Sequence, residues 1–397
     1  LAAVTAAAPT TEAGLPGTDL TPRGRIWFAQ GLRGIACLMV AWSHMADLFI
    51  TNQLQGKVAG GKPPWVGFAT WLDGLGGVNF GFLGVSIFFL VSGFVIPFSL
   101  QRGGPKQFFV RRVFRLYPTL WACTVVSLAV LTIYFHGQGA SLPYGKRDIF
   151  GSLTLTSQYT GNRFVVGPYW TLAVEELFYL VAAIMAWRKL LHRPVALLGA
   201  GALLATVAIV VGHGIGITTT NHFWLRYHVS RYSALVIFIL VGVVLHHMYR
   251  RTWRPSTGVP MIAALLGLLT LAINQGSVTS GVGWVENALL ALAIFVPLLA
   301  LHDKLPFSRS LDWIADISYP LYLLHGSVGV VTMIQVYDGT ESIYLALAVG
   351  FVAAIASSAA VHYLVERPSM TLGRRLGRRL DEDPPAVAEP VGVGFRP

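Results

Sequence analysis

Residues 26–50 read IWFAQGLRGIACLMVAWSHMADLFI, a 25-residue stretch dominated by apolar side chains. A bilayer core takes about 20 residues of helix to cross, so a run of this length reads as a membrane span. Within it, Arg33 and His44 stand 11 residues apart. As a helix, that spacing returns them to within about 20° of each other on one face, roughly 16 Å apart along the axis. Ionisable groups at such depth are costly unless they meet a partner or a cavity, which makes both functional candidates. The pair can hold two ends of an elongated substrate. The competing reading has Arg33 extending to phosphate headgroups and His44 bonding a backbone carbonyl.

The remaining chain extends this reading. Of 397 residues, 54% are hydrophobic and 12% charged, with a mean hydropathy of +0.61, too apolar for a water-soluble globule. Further apolar runs lie near Val78 to Leu100, Pro118 to Phe135, Tyr169 to Trp187, Pro194 to Val211 and Tyr232 to Tyr249. Four more follow near Val259 to Ile273, Trp284 to Leu301, Ile317 to Val336 and Ile343 to Leu364. The expected fold class is all-α integral membrane with about ten transmembrane helices. They form one membrane domain over 25–380, between disordered tails at 1–24 and 381–397. The first 20 residues lack the basic-then-apolar pattern of a signal peptide.

Basic residues cluster between alternate runs: Arg23 and Arg25; Arg102, Arg111, Arg112 and Arg115; Arg188, Lys189 and Arg193; Arg250, Arg251 and Arg254; Arg374 to Arg379. Lys57, Lys62, Lys146, Arg147, Arg163, Arg226 and Arg231 are left for the other side. Positive charge is kept on cytoplasmic loops, which places both termini in the cytoplasm. The net charge of +11 thus reads as a topology signal, and no nucleic-acid partner is expected because no nucleic-acid motif accompanies it. Cys37 and Cys123 both fall within apolar runs, which argues against a disulfide framework or a cysteine metal site.

Several polar residues recur inside the spans. GPYWTLAVEELFYL (167–180) puts Glu175 about two turns into a helix entered from outside, with Tyr179 one turn below on the same face. Glu175 is thereby expected at the depth of His44, where a carboxylate fixes the tautomer of an imidazole and raises its basicity. The alternative is a structural interhelical hydrogen bond. Glu176 is expected to face a neighbouring helix or the interface. FFVRRVFRLYP (108–118) sets Arg112 and Arg115 one turn apart at the cytoplasmic boundary, a spacing that can grip phosphate oxygens or merely serve topology. Gly84, Ser86, Ser92 and Gly93 suit close helix contact. ISYPLYLLHG (317–326) carries Ser318, Tyr319, Tyr322 and His325, with a kink expected at Pro320 and core hydrogen bonding for His325. Glu366 and Arg367 read as an ion pair, or as partners of the basic loops. His213, His222, Arg226, His228 and Arg231 read as a solvated outer loop with no metal-ligand spacing.

Taken in order, these segments resemble the acyltransferase-3 family of integral membrane O-acyltransferases over roughly Gln30 to Arg375. The matching elements are Arg-x10-His at Arg33 and His44, the GVxxFFxxSGF-like run from Gly84 to Phe94, and RxxR at Arg112 and Arg115. WxLxxEExFY from Trp170 to Tyr179, SYxLYLxH from Ser318 to His325, and YLVERP from Tyr363 to Pro368, which resembles YxxxExP but is one residue shorter, complete the set. Two positions depart from the family pattern: Ala173 stands where a serine is usual, and Ser86 where an acidic residue is common. No esterase-like domain, as found in some members, is expected after the last helix.

The resemblance implies a multi-pass enzyme of the bacterial cell membrane that moves an acyl group, expected to be acetyl, from cytoplasmic acyl-CoA to a hydroxyl. The acceptor it implies is an extracytoplasmic carbohydrate or glycoconjugate. His44 would be general base and Glu175 its orienting group; Arg33, Arg112 and Arg115 would hold acyl-CoA; Trp170, Tyr179, Ser92 and His325 would contact substrate. No metal is expected. A small lipophilic acceptor such as a macrolide, or a transporter in which Arg33, His44 and Glu175 relay protons, are the alternatives.

Overall fold

The computed structural model describes residues 26–54, 58–59, 61–101, 104–213, 223–276 and 283–379. Both expected tails, and with them Arg23, Arg25, Lys57, Arg102 and His222, lie outside these residues. Among the described residues the elements are helices and no strand is present. The first span is α1 (Trp27–Trp42), which continues as a π-helical segment, Ser43–Gln53. After the short α2 (Pro64–Asp73) come α3 (Phe80–Gln101) and α4 (Gly104–Gly137). The small α5 (Lys146–Leu153) and α6 (Ser157–Thr160) precede α7 (Trp170–Trp187), α8 (Pro194–Gly212), α9 (Phe223–Tyr249), α10 (Pro255–Gln275) and α11 (Trp284–Ala300). The chain closes with α12 (Arg309–Asp316), α13 (Ser318–Leu324), α14 (Val330–Thr340), α15 (Ile343–Val361) and α16 (Arg367–Arg379).

Every expected span falls on a helix, with corrections of length and continuity. Eight helices are long and apolar enough to cross a membrane among the described residues, or nine if α12 and α13–α14, bent by 57°, count as one span. α11, at 17 residues, is shorter. The expected start at Pro118 is overturned: α4 begins fourteen residues earlier, at Gly104, with Pro118 inside it. A proline within a membrane helix is tolerated because neighbouring groups satisfy the carbonyl it leaves unbonded. Arg112 and Arg115 therefore ride on a helix rather than a connecting loop. The bend expected at Pro320 lies just before it, between Asp316 and Ser318. Pro320 sits in the first turn of α13, where its missing N–H costs nothing.

Packing centres on α9, whose residues 232–247 are all buried. α3 crosses it backbone to backbone. A methyl group at Gly93 would collide with the Ile239 carbonyl oxygen, and one at Gly242 with that of Leu90. Gly84 makes the equivalent approach to α1, where a methyl would stand 2.7 Å from the Ala36 carbonyl oxygen and 2.8 Å from Val40. α1 packs on α3, α12 and α13, while α7 packs on α3, α4 and α9.

Candidate active site

Where α1, α3, α4, α7 and α13 converge they line a partly open cavity of about 100 Å³. Its polar lining includes Arg33, Ser92, Arg112, Arg115, Glu175 and Tyr179, and its walls are aromatic and aliphatic side chains such as Phe88, Phe89 and Val95. Six of the nine residues given site roles from sequence thus meet at one place, drawn from four helices.

Each is held by identifiable contacts. Arg33 donates from Nη2 to the Ser318 hydroxyl at 3.1 Å, and that hydroxyl donates to the Ala315 carbonyl at 2.7 Å. Arg112 donates to the Ser99 hydroxyl at 3.2 Å and lies over the rings of Phe108 and Tyr179, 5.2 and 5.1 Å from their centroids. Ser92 donates to Glu175 Oε1 at 2.5 Å. Three guanidiniums and one carboxylate share the cavity, an excess of positive charge in an apolar enclosure that suits an anionic ligand.

His44 has a different neighbour from the one expected. Its Nδ1 is 2.8 Å from Nε2 of His325, with the rings nearly parallel at 21°. Glu175 reaches Ser92 on α3 instead. The depth argument failed because equal depth does not make helices adjacent: α1 has α13 beside it, whereas α7 faces α3 and α4. The stripe on α1 is real, however. Arg33, Cys37 and His44 all meet α13 or the π-helical turn after it, at Ser318, the Ser318 carbonyl and His325 respectively. Tyr322 joins the two regions, lining the cavity with its ring centroid 5.9 Å from that of His325.

Other expectations are settled by contacts. Glu176 accepts from Tyr117 on α4 at 2.6 Å, as a residue facing a neighbouring helix should. Glu366 does not pair with Arg367 or the basic loops; it lies 2.7 Å from Nδ1 of His362 one turn earlier, and the adjacent Arg367 faces outward. The solvated-loop reading also fails for Arg226, His228 and Arg231, which ride on the first turns of α9. Arg231 lies 4.0 Å from the centroid of Trp170 and 5.0 Å from that of Trp284. Trp170 is therefore outside the cavity lining, in an aromatic cluster one turn before Glu175. Beside it the Tyr232 hydroxyl, Trp284 Nε1, Arg231 Nε and His228 Nδ1 are buried without hydrogen-bond partners. Asp47 escaped notice in sequence. It follows His44 by three residues in the π-helical segment, with Oδ1 buried and unbonded. Ala173 and Ser86 are both buried in the packing. Among the described residues no group of His, Cys, Asp or Glu could hold a metal ion.

Comparison with known proteins agrees with the ordered motifs. The O-acetyltransferase OatA of Staphylococcus aureus is 25% identical over 325 residues, covering 70% of this chain and 50% of that protein. The chain thus spans about half the length of this curated relative. The putative acetyltransferase ORF330 of Acidianus two-tailed virus is 23% identical over 322 residues, covering 78% of this chain and 87% of that protein. The peptidoglycan O-acetyltransferase OatA of Listeria monocytogenes is 29% identical over 160 residues, covering 34% of this chain and 23% of that protein. No solved structure matches. The acyltransferase domain of the acyltransferase-3 family matches residues 26–365. Since that match runs from the first helix almost to the last, the chain belongs to the acyltransferase-3 family.

Proposed function

We propose that the protein transfers an acetyl group from cytoplasmic acetyl-CoA to a hydroxyl of an extracytoplasmic carbohydrate. The observation that carries this reading is the clustering of Arg33, Arg112 and Arg115 on one apolar-walled cavity beside Glu175. Guanidiniums in a low-dielectric enclosure favour a polyanionic donor such as a CoA thioester. With the N-terminus inside, Arg112 and Arg115 stand toward the cytoplasmic end and His44 toward the outer leaflet. The donor's phosphates bind at the arginines and its thioester arm runs along the Arg33 side of α1. The oxygen of the acceptor hydroxyl attacks the thioester carbonyl, the carbon–sulfur bond breaks, and the ester forms. His44 takes the hydroxyl proton and returns it to the departing thiolate. Glu175, bonded to Ser92, balances part of the arginine charge.

The names of the relatives support acetyl as the group transferred, and the peptidoglycan named for the L. monocytogenes protein supports a carbohydrate acceptor. Vesicles reconstituted with the protein test the reading: consumption of acetyl-CoA coupled to acetylation of a glycan supports it, and movement of unmodified solute supports a transporter instead. In the same assay, Arg112→Gln with Arg115→Gln is expected to raise KM for acetyl-CoA by about tenfold or more, the scale of one or two lost charge-assisted hydrogen bonds. An unchanged KM would remove the arginines from the donor site.

A further inference from the structure

A histidine accepts a proton only at a ring nitrogen that carries none, so a histidine base needs its tautomer fixed. Three groups in series do this here. The Leu321 carbonyl oxygen can only accept, so Nδ1 of His325, 3.0 Å away, carries a hydrogen. In the neutral ring, Nε2 of His325 is then an acceptor, and it lies 2.8 Å from Nδ1 of His44. Nδ1 of His44 is accordingly the donor, which leaves Nε2 of His44 as its accepting nitrogen. His325 is fully buried and opens the π-helical turn His325–Gly329, directly after α13.

We propose that His325 is a positioning residue for acyl transfer: the Leu321 carbonyl–His325–His44 series fixes the tautomer and plane of the His44 ring, so that Nε2 takes the proton of the acceptor hydroxyl. This rests on His44 being the general base. His325 serves His44 as a carboxylate serves the histidine of a hydrolase triad, but without a negative charge. When His44 becomes an imidazolium, its Nδ1–H bond to His325 becomes charge-assisted and strengthens. The arrangement also frees Glu175 to remain with Ser92 and the arginines of the cavity.

Three substitutions at His325, alone or in a His44→Ala background, test it in the vesicle assay with acetyl-CoA. Leucine at His325 fills volume without an acceptor, asparagine can keep the bond to Leu321 but falls short of His44, and glutamine can offer its oxygen to Nδ1–H of His44. His325→Leu and His325→Asn are expected to lower kcat about 10- to 100-fold, part of the 10²–10⁴ that a general base contributes, with KM for acetyl-CoA changed less than about twofold. His325→Gln recovers most of the loss. In a His44→Ala background, His325→Asn causes no further loss, because both act through one ring. Retention of kcat by a folded His325→Asn protein, or an additive loss in that background, would overturn the assignment. Full activity of His44→Ala would instead remove the base reading on which it rests. If His325→Leu fails to fold, the asparagine and glutamine variants decide alone.

Discussion

His44→Ala is expected to lower kcat for acetyl transfer by about 10²- to 10⁴-fold, the contribution of a positioned general base, while KM for acetyl-CoA stays nearly constant. The split follows from the layout. The cavity arginines are carried by α1, α4 and their contacts to Ser318 and Ser99, none of which touches the His44 ring. Truncation leaves Nε2 of the buried His325 without a donor, so a stability loss of about 1–3 kcal/mol accompanies the change. A melting curve in detergent separates that loss from the loss of chemistry. Comparable kcat in a folded His44→Ala protein would exclude this residue as the base.

The largest effect on folding is expected at the crossing of α3 and α9. Gly93→Leu would force a side chain into the Ile239 carbonyl and the Cα of Gly242, atoms that cannot swing aside as a side chain can. Overpacking costs about 1–3 kcal/mol where neighbours can yield, and backbone on both sides puts this site at or beyond the upper end. The variant should lose its monodisperse peak on size exclusion in mild detergent. Gly199→Ala, with nothing within 4 Å of the added methyl, is the control and should run as wild type. A monodisperse, active Gly93→Leu protein would contradict the close approach.

What sequence revealed and what it hid divide along one physical line. Span positions follow from the length of apolar runs, a property of the local chain, and so do the shared face of Arg33 and His44 and the one-turn spacing of Arg112 and Arg115. Partners across helices are another matter. Nothing local says that α13 rather than α7 stands beside α1, so the sequence alone offers core hydrogen bonding or substrate contact for His325 and makes Glu175 the partner of His44. The order of the family-like motifs points to the family, but motif order does not state which two side chains touch. Arg231 was misplaced for a simpler reason: the first turns of α9 are rich in polar and aromatic residues, FWLRYHVSRY (223–232), and do not read as part of an apolar span.

Gly93 sits next to Ser92 in the chain, so the hydroxyl that meets Glu175 is anchored beside a joint with no cushioning side chains. Such a joint acts as a rivet and resists sliding of α3 along α9.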